Sequence, residues 1–279
     1  MNLKYDAKKS VRAIISKTKQ YEFDFEPQQA PFLIHGDNFK GMSLLLKNGY
    51  AGKVDLIYID PPFNTNQDFF VSESRKASVS RASNGTIAYS DRLSFEEYLE
   101  FIRERVILMH RLLSEEGSLY FHIDSKTGHY CKIILDEIFG KENFKNDITR
   151  IKSNPKNFSR TAYGNEKDVI LFYAKNAKKN IWNNVTEPLS RKEGKNRYNK
   201  KDKRGYYTTI PLHAPGETKD GATASAWRGM LPPEGRHWRT DPAEFDRLDA
   251  QGLIEWSANG NPRIKKYLKE HKGKKIQDV

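Results

Sequence analysis

A near-continuous apolar run, Val54–Ile59 (VDLIYI), leads directly into Asp60-Pro61-Pro62-Phe63. β-Branched and aromatic residues without strict alternation are the pattern of a strand buried on both faces of a sheet. Two successive prolines cannot continue a ladder, so the strand stops there. They also fix φ and remove two N–H donors, leaving a rigid corner of carbonyl acceptors. Beside it stand a carboxylate, which only accepts hydrogen bonds when ionised, and an aromatic ring. Such a corner suits a planar group bearing an exocyclic –NH₂. The amine donates both protons, its lone pair stays directed, and its ring is held by stacking. The plainer reading makes Asp60 an ordinary turn former.

Strand-like and helix-like segments alternate around this run. Pro31–His35 (PFLIH) reads as a strand ending at Gly36-Asp37, followed by a short helix with Phe39, Met42, Leu45 and Leu46 on one face. The Ser/Asn-rich stretch between Asn64 and Arg92 reads as a long mobile loop, a kind that is often functional. Ser94 and Glu97 have capping-box spacing, and Phe95, Tyr98, Leu99, Ile102, Val106, Met109 and Leu113 recur at helical intervals. Gly117 closes that element and Ser118–Ile123 is the next strand; a helix over 128–139 and strands over 147–152 and 168–174 follow. The alternation predicts an open, largely parallel sheet with helices on both faces. Ligands bind such sheets at the carboxyl ends of strands, where Asp37 and Asp60 both fall. Asp37 serves equally well as a helix N-cap. His35 and His122, on strand candidates, read as structural.

The alternation is lost after about residue 176, which divides the chain into 1–175 and an irregular α+β region over 176–279. The charge is divided too. Of a net +12, residues 1–140 hold 18 basic and 19 acidic side chains, and residues 141–279 hold 30 and 17. The surplus in the second half reads as a dock for a polyanion or as a lysine-rich solvated surface. The longest apolar stretches fall far short of a membrane span, and the charged N-terminus lacks a signal-peptide core, so the chain reads as cytoplasmic and without a membrane partner. The single cysteine, Cys131, excludes an internal disulfide and reads as a buried apolar residue. No His/Asp/Glu spacing predicts a metal site.

DLIYIDPPFNT, with HGD upstream, resembles the amino-methylating DNA methyltransferases. A catalytic motif near the N-terminus with a recognition region after it is similar to their permuted β group, which includes type III modification subunits and many type II adenine enzymes. The tract from Trp227 onward, with GLIEW, NPRIKKYL and HKGKKIQDV, resembles the close of their recognition region. The resemblance implies a partial Rossmann-like methyltransferase domain over 1–175 and a basic target-recognition region over 176–279. It implies transfer of a methyl group from S-adenosylmethionine to adenine N6 in duplex DNA, within a restriction–modification system. Asp60 and the Pro61 carbonyl, in the Pro61-Pro62 corner, would accept from the target amine. Phe63 would stack on the flipped base. Asp37 would contact the adenine of the donor, with Asp60 on the donor side as well. Asp at position 60 favours adenine N6 over cytosine N4.

The basic region would hold the duplex. Lys152, Lys156 and Arg160 follow a strand, and Lys192, Lys195, Arg197, Lys200, Lys201, Lys203 and Arg204 form the densest cluster, suited to phosphates. Arg228, Arg236 and Arg239, near Trp227 and Trp238, are candidate base readers. No Gly-x-Gly follows an apolar run among the 18 glycines. The resemblance therefore implies that donor-binding strands are supplied beyond Val279 or by a partner, either a restriction subunit or a second copy. It also predicts an exposed sheet edge and apolar surface. The alternatives are a non-catalytic DNA-binding relative and a cytosine-N4 enzyme. A methyltransferase for RNA or protein amides would use the same corner.

Overall fold

The computed structural model describes residues 2–21, 31–64, 67–71, 79–80, 87–91, 93–152, 161 and 163–278. The chain divides into two compact units, Met1–Asn183 with Gln277–Val279, and Asn184–Ile276. The division thus falls several residues after the change in composition.

The first unit runs α1 (Val11–Thr18), α2 (Asn38–Lys47), β1 (Val54–Ile59), β2 (Gln67–Val71), β3 (Val79–Ser80), β4 (Ile87–Asp91), α3 (Phe95–Leu112), β5 (Leu113–Ile123), α4 (Gly128–Phe139), β6 (Phe144–Ile151) and β7 (Lys167–Ala174). Its main sheet has the order β1-β5-β7-β6. Only β1–β5 is parallel; β5–β7 and β7–β6 are antiparallel. The largely parallel sheet expected from the sequence is therefore a mixed one. Parallel neighbours need a crossover, and no helical pattern separates β6 from β7.

Helices cover one face of this sheet rather than both. Tyr98, Leu99, Ile102, Val106 and Met109 of α3 and Cys131, Ile134 and Leu135 of α4 pack against Leu119, Phe121, Ile123, Leu171 and Tyr173. The opposite face carries no helix among the described residues. There Tyr120, Phe172 and Trp182 stack in a column, while Leu56 and Tyr58 of β1 are 61% and 58% exposed. So β1 buries one face, not two, and pairs with a single strand among the described residues. An exposed sheet edge and apolar side chains are present there.

α3 is the central helix. Ser94 and Glu97 close its capping box, as their spacing predicts. Its outer side packs Ile107 and Leu108 against Ile14 of α1 and Phe39 of α2. The N-terminal segment also ties down charges that α3 buries: the Tyr5 hydroxyl donates to Glu100, and Lys9 Nζ pairs with Glu104 at 2.7 Å. α1, which starts from a Ser10 cap, was not legible in the charged N-terminal sequence.

Two further segments differ from expectation. Pro31–His35 forms no ladder, and Leu33 is 92% exposed. Strand propensity is realised only against a neighbouring strand. Within the expected loop, β2 pairs antiparallel with both β3 and β4. Their sequences, QDFFV and IAYSD, are strand formers that the Ser/Asn-rich composition around them obscured. Thr65 and most of that Ser/Asn-rich stretch lie outside the described residues.

The second unit contains β8 (Thr186–Glu187), α5 (Arg191–Arg197), β9 (Lys200–Asp202), β10 (Gly205–Pro211), β11 (His213–Pro215), β12 (Arg236–Trp238), α6 (Pro242–Ala250), β13 (Ile254–Trp256), β14 (Pro262–Tyr267) and β15 (Lys274–Lys275). An antiparallel sheet of order β13-β14-β10-β9 packs with α6 around Leu212, Trp227, Trp238, Phe245, Ile254 and Ile264. The region that read as irregular thus has its own small core.

Candidate functional site

Asp60 is the first residue beyond β1, at the carboxyl end of the sheet, and its side chain is 57% exposed. Pro61 is buried, and Pro62, Phe63 and Asn64 are half-buried. The Tyr98 hydroxyl, from the first turns of α3, donates to the Pro62 carbonyl at 2.8 Å. The capping box fixes where α3 begins, and therefore where Tyr98 stands. Asn64 has φ of 54°, a left-handed conformation that asparagine tolerates better than most residues, so the backbone turns sharply past Phe63. Phe63 packs on the core beneath the sheet and meets the His122 ring edge-on, with centroids 5.5 Å apart.

The parallel register sets Ile59 beside Phe121, so the next residues along, Asp60 and His122, are neighbours. His122 Nδ1 lies 3.1 Å from Asp60 Oδ1, and Nε2 lies 3.4 Å from Asp168 Oδ2. Asp168, at the start of β7, is 2% exposed and pairs with Arg150 at 3.2 Å and Lys152 at 2.5 Å. Both ring nitrogens of His122 are within ion-pair distance of a carboxylate, yet neither is aligned for a proper hydrogen bond. Cys131 is buried below the corner, where burial pushes its thiol up to about 12; it is an apolar core residue, as expected.

Asp37 behaves as the N-cap alternative predicts. Its Oδ1 accepts from the Lys40 N–H at 3.0 Å, and its Oδ2 accepts from Arg105 at 3.0 Å. Each oxygen has one partner within the protein, and the side chain is 45% exposed, so further acceptor positions face outward.

The basic residues of the second unit divide into tied and available groups. Arg228 is held by Asp246 at 2.9 Å and Asp249 at 2.6 Å, and its guanidinium covers Trp227, a core residue. Lys200 pairs with Glu255, and Arg204 donates to the Gln251 carbonyl. Lys201 lies over the exposed Tyr206 ring, and Lys203 is exposed with no ion pair among the described residues. Arg236 and Arg239 are both exposed; Arg236 approaches His213, and Arg239 donates to the Pro211 carbonyl. Burial and the charges of Arg236, Arg239 and Arg263 hold His213 below its ordinary pKa. Trp227 and Trp238, expected to flank base readers, are core. Lys152 is bound to Asp168, and Lys156 and Arg160 lie outside the described residues. Among the described residues no group of three His, Cys, Asp or Glu side chains is placed to hold a metal ion, and no helix is long and apolar enough to cross a membrane.

The DNA methylase family model matches residues 54–277, from the start of β1 almost to the end of the chain. The chain belongs to the amino-methylating DNA methylases. It is 42% identical over 242 residues to the type II methyltransferase M.EcaI of Enterobacter cloacae, covering 86% of this chain and 50% of that protein. It is 31% identical over 157 residues to the EcoPI Mod subunit of a type III restriction-modification enzyme from Escherichia phage P1, covering 52% and 24%. It is also 25% identical over 287 residues to the StyLTI Mod subunit of Salmonella typhimurium, covering 97% and 43%. The chain spans about half or less of the length of these relatives.

Sequence reasoning did not single out Tyr98, His122 and Asp168, which the structure brings together at the corner. Tyr98 was read only as a core position of a helix. His122 and Asp168 were each placed on a strand, but their neighbours depend on register, and register across a sheet is set by pairing between segments far apart in sequence. The parity of Ser118, Tyr120 and His122 against Leu119, Phe121 and Ile123 was the available signal.

Proposed function

We propose that this chain carries the amine-accepting corner and the DNA-gripping region of a site-specific methyltransferase acting on adenine N6 in duplex DNA, as part of a restriction–modification system. The observation that supports it best is Asp60 standing open at the end of β1, on a corner whose outer carbonyl, that of Pro62, is already occupied by Tyr98. The acceptors left to the target amine are the Asp60 carboxylate and the Pro61 carbonyl. Two such acceptors take both amine protons and direct the nitrogen lone pair along one line. S-Adenosylmethionine, when bound, supplies a methyl group on a sulfonium centre. The chain's own contribution is positioning and electrostatics: it fixes the base, aims the nitrogen and stabilises the charge that develops there.

On the DNA side, Lys201 and Lys203 are the phosphate contacts, and Arg236 and Arg239, with Arg263 near them around His213, are the groove-facing cluster. A restriction subunit is the partner that the names of the Mod relatives bring to this reading. Labelled methyl transfer to duplex DNA by the protein tests it. Activity that Asp60→Ala abolishes while DNA affinity persists supports it; binding without transfer in the unaltered protein would make the chain a DNA-binding relative instead. Hydrolysis of the product separates N6-methyladenine from N4-methylcytosine. Asp60 favours the former.

A further inference from the structure

We propose that His122 is the positioning residue of the catalytic corner, holding one oxygen of Asp60, and that buried Asp168 holds His122 in turn. The inference rests on Asp60 as the amine acceptor. Asp60 alone is a short, half-exposed carboxylate at a strand end, free to turn either oxygen toward solvent. His122 is 6% exposed, and its Nδ1 lies 3.1 Å from Asp60 Oδ1. A buried polar ring is costly unless its polar atoms are used, and both of its nitrogens face carboxylate oxygens. An ionised carboxylate only accepts, so a hydrogen bond from His122 to Asp60 needs the proton on Nδ1. Oδ1 is thereby held, and Oδ2 is left for the amine.

The rest of the cluster fits that role. Asp168 meets Nε2 at 3.4 Å and is 2% exposed, so it cannot swing away to water. Arg150 and Lys152, from the end of β6, balance its charge at 3.2 and 2.5 Å. The Phe63 ring, edge-on to His122, limits rotation of the imidazole and links its orientation to the aromatic that follows the corner. The groups facing His122 are therefore Asp60 beyond β1, Asp168 of β7, with Arg150 and Lys152 behind it, and the Phe63 ring. Placing a reacting group within an ångström is worth up to about 100-fold in rate.

The test has two arms in the full-length protein. With histidine labelled by ¹⁵N, Nδ1 of His122 should carry a proton whose resonance moves on Asp60→Asn; an unprotonated Nδ1, or a resonance that ignores Asp60→Asn, overturns the proposal whatever the reaction is. In steady-state kinetics, His122→Leu should lower kcat by about 10- to 100-fold with KM for DNA within about twofold. His122→Asn, whose amide N–H replaces Nδ1–H, should restore much of the loss, and Asp168→Asn should fall between. A merely structural histidine would show equal losses for Leu and Asn, and that pattern overturns the role. Should His122→Leu not fold, the resonance arm and Asp168→Asn still decide. If Asp60→Ala leaves methylation intact, the underlying reading fails. If Asp60→Ala abolishes it and His122→Leu leaves kcat unchanged, only the positioning role fails.

Discussion

Asp60 owes its orientation to residues that surround it in space. The prolines after it stiffen the turn, His122 stands beside it across the parallel register, and Tyr98 ties the Pro62 carbonyl to α3. The Tyr98 tie can be tested by itself. Tyr98 is 1% exposed, so Tyr98→Phe keeps its packing and removes the hydroxyl's hydrogen bonds to the half-buried Pro62 carbonyl and to the Cys131 thiol. A loss of about 1 kcal/mol in stability is expected, measured by urea unfolding. A fall in kcat larger than the fall in stability should accompany it, because the corner is no longer pinned to the helix. Stability and kcat both unchanged would mean that the prolines suffice. Here the motif itself was legible from residue types, since Asp-Pro-Pro-aromatic after a buried strand has a chemistry of its own. Its support was not: a tyrosine at helical spacing reads the same whether or not its hydroxyl meets a carbonyl.

At the scale of elements, β1 and β5 decide where the site stands. Their ladder shifts register between Val54 and Leu56, and Gly117 lies close against the Val54 backbone. A Cβ there would lie 2.8 Å from the Val54 carbonyl oxygen and 2.9 Å from Leu113 Cδ2. Gly117→Ala should therefore destabilise the first unit by about 1–3 kcal/mol, since backbone cannot yield as a flexible side chain can. A melting temperature equal to that of the unaltered protein would contradict the close approach. The sequence placed Gly117 as the stop of a helix; its role is contact between strands, and α3 ends earlier, at Leu112. Long elements were legible because periodicity and capping act locally: α3, α4, β1 and the end of β5 all lie where the pattern predicts. Short strands such as β2 and β4, and the helix α1, depend on partners that no local pattern names.

Across the whole molecule, the two units should respond to acid in different windows. In the first, burial and the Lys175 cation hold His110 at about 4, below its ordinary 6.5. The unfolded chain binds this proton first, so stability is full above about pH 6.5 and declines as the pH falls toward 4. In the second, the Tyr267 hydroxyl, the Arg204 N–H and Lys265 hold Asp202 at about 2, and the Ser190 cap and Lys274 hold Glu193 at about 2. Their contribution persists above about pH 4 and is lost as the pH falls toward 2. Circular dichroism against pH should show both declines, with Asp202→Asn flattening only the lower one. DNA affinity is the other property of the whole. Neutralising Lys201 and Lys203 should reduce the salt slope of binding by about 2. Adding Lys200 and Arg204 should reduce it by less again, since Glu255 and Gln251 already hold them. An unchanged slope would move the DNA contact elsewhere.

The sequence by itself determined the corner at Asp60, the capped central helix, the strand–helix order around them and the change to a basic second half. These follow from bonded geometry, local periodicity and composition, which act between near neighbours. Tertiary structure alone decided that β7 runs against its neighbours, that helices cover one face of the sheet among the described residues, that Arg228 is paired with Asp246 and Asp249 over a buried Trp227, and that His122 stands between Asp60 and Asp168. Each of these is a pairing between segments tens of residues apart. Such pairings are set by packing and burial over the whole fold, and no single stretch of sequence carries them.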